Sequence, residues 1–358
     1  MNKLRTLTSR LFYPVTFCLD SRRFCLTIIF TMLCVTAFAQ ASTPDHAVSS
    51  KKSVLILHSY HKGYLWTDEI SEGIVHVLKS AFPPVSIQYE YMDSKKNYDD
   101  IYMQQIIELY KHKFRNKHFD VIISSDDNAF NFLRDYRDEI FPDTPIIYCG
   151  TNYITSDRAE ELPNSSGVNE AVSLQENFEL ILKLHPEATE LAIIVDSSTT
   201  GNRIKQQLDG VLPDFRDQIK IDMLQDLTID DLVDKVEQLP ATAVILYTLF
   251  FRDSAGNFFE FDDSINMITE ASAVPVYVTW DFSMGNGAVG GIITSGKAQG
   301  EAAGKLALEV LLGKPADTIP FIKESPNHYI FDYNALQRYD IDLDLLPSNS
   351  IIHDLPGE

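Results

Sequence analysis

Two histidines and several carboxylates lie where strands are predicted to end, so acid–base catalysis and metal binding are the first chemistries to consider. His58 and His61 follow the first apolar run, and Asp126 and Asp196 follow two later ones. The sequence has no H-E-x-x-H, no G-x-S-x-G and no Cys/His spacing of a metal site. It has HSYHKG where a dinucleotide-binding enzyme carries G-x-G-x-x-G. We therefore expect no catalytic residue, no metal and no cofactor, and an enzyme stays as the alternative of another class.

The same strand ends carry hydroxyls, amides and aromatic rings, which are the groups that hold a small organic ligand. The segment HSYHKGYLW combines polar tips with aromatic faces, and Gly63 within it permits a tight turn. Tyr64 and Trp66 could instead pack the top of a domain core. A later run leads into SSDDNAF, where a helix start would offer N–H donors to a carboxylate. Asp126 or Asp127 could equally be only the helix cap. The next run ends in YCGTNY, which offers a permissive backbone and two hydrogen-bonding side chains. The ligand contacts predicted in this half are Ser59, Tyr60, Tyr64, Trp66, Ser125, Asp126, Thr151 and Asn152.

The second half of the chain offers matching loops, DSSTTGNR, YTLFFRD and TWDFS. The first resembles a polar cradle at a helix start, but it lacks the Gly/Lys spacing of a phosphate loop. In the other two, an apolar wall for a ligand ring could be formed by Tyr247, Phe250, Trp280 and Phe282. Asp281 or Asp253 could pair with a ligand amine, although loop aspartates more often lie on the surface. The ligand contacts predicted here are Ser197, Ser198, Tyr247, Phe250, Trp280 and Asp281.

The elements that must position these residues follow from the hydropathy pattern. Short β-branched runs alternate with amphipathic stretches from Ser53 onward, which is typical of βαβ units and parallel sheets. Four runs precede a polar segment over 157–167 and four follow it. We predict an α/β fold of two doubly wound Rossmann-like lobes joined by a hinge, with the chain crossing back near 285–300. Such sheets bind ligands outside the carboxyl ends of their strands, so the predicted contacts would line a cleft.

The first forty residues differ in kind from the rest. Their apolar core, FCLTIIFTMLCVTAFA, is short for a bilayer span of about 20 residues and ends in small residues of A-x-A type. This pattern predicts a cleavable signal peptide over 1–41 and a periplasmic protein, with an uncleaved anchor as the alternative. The remaining chain is divided into a first lobe of residues 42–155 plus 296–358 and a second lobe of residues 156–295.

Charge and cysteine content exclude some partners and cross-links. The chain has 30 basic and 51 acidic residues, a net charge of −21. Nucleic acids and anionic lipids are bound mainly through Lys and Arg, so neither is an expected partner. Cys149 is the one cysteine after the predicted leader, so we expect no internal disulfide and a buried, structural thiol.

Three segments carry a resemblance to a known family: VLILHSYHKGYLWTDEISEGI, GKAQGEAAGKLALEVLLGKPADTIPF and NHYIFDYNALQRYDIDLDLLPSNSII. They are similar to ABC-transporter substrate-binding proteins of the type 1 periplasmic-binding-protein fold, in the branch of aromatic-amino-acid binders and extracytoplasmic sensor domains. The resemblance implies a periplasmic solute-binding protein for an ABC-type importer. Its expected partners are an amino acid or other aromatic compound and a membrane permease. The third segment looks most like the sensors, so the alternative is a co-receptor for a separate membrane sensor kinase or cyclase.

Overall fold

The computed structural model describes residues 51–357 except 82–84, 96, 98 and 153. The predicted signal peptide over 1–41 lies outside the described residues. None of the described helices is both long enough and apolar enough to span a bilayer.

The first lobe is built on a five-stranded parallel sheet in the order β2-β1-β3-β4-β5. Its strands are β1 Lys52–His58, β2 Val85–Tyr91, β3 Val121–Ser125, β4 Ile146–Asn152 and β5 Ser165–Glu170. The helices between them are α1 Leu65–Ala81, α2 Asp100–Phe114, α3 Asp126–Ile140 and α4 Ser156–Glu160.

The apolar run of β1 is buried on both faces because helices cover both sides of the sheet. Side chains alternate along a strand, so Val54 and Ile56 pack toward α1 while Leu55 and Leu57 pack toward α2 and α3. All four are fully buried. A continuous apolar run of this kind is typical of a central parallel strand.

The second lobe is built on a seven-stranded sheet in the order β12-β11-β10-β9-β8-β6-β7. Its strands are β6 Glu190–Val195, β7 Lys220–Leu224, β8 Ala243–Leu249, β9 Val276–Val278, β10 Gly290–Ile293, β11 His328–Asp332 and β12 Ile351–His353. The helices are α5 Leu174–Leu184, α6 Thr199–Val211, α7 Ile229–Glu237, α8 Phe261–Ala271 and α10 Tyr333–Arg338. Helix α9, Gly296–Leu311, lies between β10 and β11 in the chain and packs against the first sheet. Neighbouring strands are parallel except β10 and β11.

The strand topology differs from the predicted division of the chain. Strand β5 pairs with β4 in the first sheet, although its residues were assigned to the second lobe. Helix α9 packs on α1 of the first lobe, as expected for a chain that crosses back, but β11 and β12 return to the second sheet. The predicted division places residues 296–358 in the first lobe, whereas β11 and β12 pair in the second sheet, because an antiparallel pairing with β10 has no signature in the local pattern.

Glycines allow the close packing at both crossings. A Cβ at Gly300 of α9 would overlap the carbonyl oxygen of Ile70, and one at Gly73 of α1 would overlap that of Lys297. Gly290 in β10, at φ +119°, lies against the backbone of Ile330 in β11. Only a residue without a side chain allows these backbones to approach so closely.

Candidate functional site

A cavity lies where the carboxyl ends of the two sheets meet. Seven residues of the first lobe line it: Tyr60, Tyr64, Trp66, Lys95, Asp126, Asn152 and Glu170. Five residues of the second lobe close it: Thr200, Leu249, Phe251, Trp280 and Phe282. The cavity volume is about 50 Å³, whereas pockets that hold drug-sized ligands measure roughly 300–1,000 Å³.

Asp126 is placed by an abrupt turn from β3 directly into α3. Its φ of +70° is a left-handed conformation that few residues other than glycine adopt, and aspartate is among those that tolerate it. The buried carboxylate accepts hydrogen bonds from Trp66 Nε1 at 2.8 Å and from Ser125 Oγ at 3.0 Å. Burial raises its pKa to about 7 against the lowering effect of these two donors. Strained backbone of this kind clusters at functional sites.

Glu170 ends β5 and is the second buried carboxylate of the cavity. Its Oε2 accepts a hydrogen bond from Asn152 Nδ2 at 3.0 Å, and its Oε1 accepts one from Trp280 Nε1 at 3.3 Å. Burial, followed by the negative charge of Asp126, raises its pKa well above the ordinary value. The two tryptophans thus each hold one carboxylate.

Aromatic rings from both lobes surround these carboxylates. Tyr60 and Tyr64 meet edge to face with centroids 5.4 Å apart. On the opposite side, Phe282 stacks on Trp280 at 5.9 Å and lies 6.0 Å from Phe251. The arrangement gives the cavity apolar walls with a few convergent polar groups, as in most small-molecule sites.

Lys95 extends from the loop after β2 into this group of rings. Its Nζ lies 4.9 Å from the ring centroid of Tyr60 and 5.3 Å from those of Tyr64 and Phe251. Desolvation lowers the pKa of its ammonium group, while the charges of Asp126, Asp196 and Glu170 act in the opposite direction. An ammonium above aromatic faces at these distances is a cation–π contact.

An ion-pair cluster joins the lobes beside the cavity. Asp127 of α3 pairs with Arg158 at 2.6 Å and with Arg203 of α6 at 2.7 Å. Arg203 belongs to the second lobe, so this pair spans the cleft.

Six predicted contacts lie on the cavity wall, namely Tyr60, Tyr64, Trp66, Asp126, Asn152 and Trp280. The other eight do not line the cavity, and those with polar side chains form hydrogen bonds to other parts of the protein. Ser59 Oγ donates to Ser125 O and accepts from Ala129 N, which ties β1 to α3. Ser125 bonds to His58 and Asp126, and Thr151 Oγ1 donates to Cys149 O.

In the second lobe, the predicted contacts that do not line the cavity form local hydrogen bonds or are buried in the core. Ser197 bonds to Asp226, and Ser198 caps α6 by accepting from Gly201 N. Tyr247 and Phe250 are buried in the core, where the Tyr247 hydroxyl bonds to Ser264. Asp281 accepts from the backbone N–H groups of Phe282 and Gly296. The register between β6 and β8 shifts after Tyr247, so Tyr247 and Leu249 pack on opposite faces of the sheet, and only Leu249 reaches the cavity.

Sequence reasoning missed five lining residues: Lys95, Glu170, Thr200, Leu249 and Phe251. The quoted loops did contain Thr200, Leu249 and Phe251, but each lies one or two residues from a position selected. Phe282 was expected only as part of the apolar wall, and it lines the cavity. Glu170 ends β5, which overlaps the polar segment over 157–167 and was not predicted as a strand. Lys95 follows β2, whose parallel orientation places its carboxyl end at the same edge as β1.

His58, one of the two histidines considered for catalysis, has a structural role. His58 is fully buried, with Nδ1 2.8 Å from Ser125 Oγ and Nε2 2.8 Å from Ser71 Oγ. Burial lowers its pKa to about 3, so the ring is neutral at physiological pH. No cluster of three or more His, Cys, Asp or Glu side chains suited to a metal occurs among the residues that the structure describes.

Two α/β lobes that face each other across a cavity at the carboxyl ends of their strands define a type 1 periplasmic binding protein, and the predicted fold class is confirmed. The chain belongs to the ABC transporter substrate-binding protein family, whose sequence model matches residues 66–346. The family relationship inferred from the three sequence segments is thus also confirmed. Members of this family bind substrates and are not catalytic, which agrees with the absence of a catalytic motif.

Known relatives are distant in sequence. A tyrosine-binding protein of Clostridioides difficile (strain R20291) is 22% identical over 189 residues, and the match spans about half the length of each chain. The ligand-free, open structure of a substrate-binding protein with adhesive properties from Clostridium difficile superposes with a TM-score of 0.60 at 14% identity, over 84% of this chain and 98% of that one. An ABC domain from Streptococcus pneumonia in complex with L-Trp superposes with a TM-score of 0.57 at 15% identity, over 84% and 100%. At these identities the superpositions establish the fold.

Proposed function

We propose that the protein captures a small organic ligand bearing an ammonium group and an apolar or aromatic body, and delivers it to an ABC-type importer. The observation that carries this proposal is the pairing of two buried carboxylates, Asp126 and Glu170, with rings from both lobes. Carboxylates buried in apolar surroundings call for a cationic or hydrogen-bonding partner. The rings supply apolar surface for the rest of the molecule.

An aromatic amino acid is the leading ligand. It combines an ammonium group with a ring, and the relatives above include a tyrosine-binding protein and a domain in complex with L-Trp. A thermal-shift screen of the purified protein tests this assignment against sugars, polyamines, nucleosides and small carboxylates. Ligand at 100 times its Kd should add about 2.7 kcal/mol to the free energy of unfolding. A shift with sugars alone would contradict the proposal.

Import and periplasmic location are the remaining parts of the proposal. Family membership supports both, because substrate-binding proteins of ABC transporters act outside the cytoplasmic membrane. Uptake of the labelled ligand should fall in cells that lack the protein and recover on complementation. Unchanged uptake, with loss of a transcriptional response to the same ligand, would favour the co-receptor instead. Cell fractionation should find the protein in the periplasmic extract.

A further inference from the structure

The aromatic wall of the cavity already holds a cation, and that cation belongs to the protein. The Lys95 ammonium lies within 5.3 Å of the ring centroids of Tyr60, Tyr64 and Phe251, which come from both lobes. Three aromatic faces around one ammonium form a cage of the type that recognises alkylammonium ligands. We use the term ammonium cage for these three rings.

Lys95 is the most exposed residue of the cavity wall, although its ammonium is desolvated among the rings. The other lining residues are buried or half-buried. Among the described residues it forms no ion pair, although the charges of Asp126 and Glu170 act on its ammonium. The carboxylates, in contrast, are fixed by hydrogen bonds from Trp66, Trp280 and Asn152.

The small cavity makes movement of a lining side chain necessary. A volume of about 50 Å³ holds one or two water molecules but no amino acid. Because Lys95 is exposed and forms no ion pair among the described residues, its side chain can leave the cleft without breaking one. Its departure would free both volume and the ammonium cage.

We propose that the ammonium cage of Tyr60, Tyr64 and Phe251 is the subsite for the ligand's ammonium group, and that Lys95 is an internal occupant which the ligand displaces. The inference rests on the proposed function and specifies its ligand class as amines. An anion in the same place would lie beside Asp126 and Glu170 and would be repelled. Lys95 therefore lowers the apparent affinity, because the ligand binds only to the fraction of molecules with an empty cage.

Three related compounds separate the amine from the acid. Tyramine keeps the ammonium and ring of tyrosine, 3-(4-hydroxyphenyl)propionate keeps the carboxylate and ring, and L-tyrosine keeps all three groups. Titration calorimetry is carried out on the wild-type protein, on Lys95→Met, which keeps an apolar stem of similar length, and on Lys314→Met as the control. Lys314 pairs with Glu309 on the surface, away from the cleft.

We expect tyramine to bind the wild type and to bind Lys95→Met about ten-fold more tightly, as for a cage that lysine occupies roughly 90% of the time. The propionate should not bind, and Lys314→Met should match the wild type. Binding of the propionate to the wild type, with loss in Lys95→Met, would overturn the proposal, because Lys95 would then be the partner of a ligand carboxylate.

A readout on Lys95 itself separates failure of this inference from failure of the proposed function. In protein whose lysines carry ¹³C-dimethyl groups, the resonance absent from Lys95→Met should be shifted upfield by the three rings and should return toward the free-lysine position on addition of tyramine. A free-lysine position without ligand would show that Lys95 does not occupy the cage, whatever the protein binds. An upfield resonance that no amine moves would show that the cage is not a ligand subsite.

Discussion

The indole Nε1 of Trp280 donates a hydrogen bond to Glu170 across the cleft at 3.3 Å. Glu170 ends a strand of the first sheet, and Trp280 follows a strand of the second. The bond therefore forms only when the two carboxyl-terminal sheet edges face each other, and it couples the charge of the site to the relative position of the lobes.

Replacing Glu170 with Gln keeps the shape of the side chain and removes its charge. We expect affinity for an amine ligand to fall about ten-fold or more, since a hydrogen bond to a charged group contributes about 1.5–3 kcal/mol. The melting temperature of the ligand-free protein should change little, because a neutral amide costs less to bury but its single oxygen can accept from only one of Asn152 and Trp280. Calorimetry measures both the affinity and the melting temperature. Glu90→Gln is the matched control, as Glu90 pairs with Lys113 outside the cavity; equal affinities in the two variants would refute a role for the Glu170 charge.

Asp126 should make ligand binding depend on pH near neutrality. Its pKa is raised from 3.8 to about 7, so the folded protein holds this proton more tightly than the unfolded chain. The free energy of unfolding contributed by this group therefore falls as pH rises from about 4 to about 7. Affinity for a cation should rise over pH 6–8, as the carboxylate ionises.

The Asp126→Asn variant tests this pH dependence, since asparagine tolerates the positive φ. Its affinity for the ligand should be lower and should change little over the same pH range. Its free energy of unfolding should fall less between pH 4 and 7 than that of the wild type. Parallel pH profiles for the two proteins would assign the titration to another group, such as Glu170.

Arg203 should hold the lobes together through Asp127. Its side chain is 40% exposed, so screening limits the ion pair to about 0.2–1 kcal/mol. Arg203→Gln should therefore speed ligand dissociation by no more than about five-fold, with the difference shrinking at high salt. Stopped-flow release measures the rate. Lys205→Gln, on the same helix and paired with Asp209 of that helix, should leave the rate unchanged.

Gly300 should be essential for the contact between α1 and α9. A Cβ there would overlap the backbone of Ile70, and we expect Gly300→Ala to lower the free energy of unfolding by about 1–3 kcal/mol. Gly210 in helix α6 has nothing within 4 Å of its Cβ position, so Gly210→Ala should raise stability by about 0.5–1 kcal/mol. Urea denaturation compares them; equal effects would mean that α9 can shift to accommodate the methyl group.

Local patterns were sufficient to predict much of the architecture. The alternation of β-branched runs with amphipathic stretches located most strands, and the position of Asp126 at the end of β3 followed from the same count. Strand β5 was missed because SSGVNE has little apolar periodicity, and it is held as a strand by pairing with β4. Glu170 was missed with it.

The sequence by itself determined the fold class, the family and the loops from which the cavity is built, because strand and helix periodicities and turn residues act over a few positions. Only the tertiary structure decided which side chains of those loops meet. The approach of Trp280 to Glu170 and of Lys95 to Phe251 depends on the order of strands in two separate sheets and on helix α9 packing against α1. Those are contacts between residues far apart in the chain, and no local pattern encodes the geometry that brings them within a few ångströms.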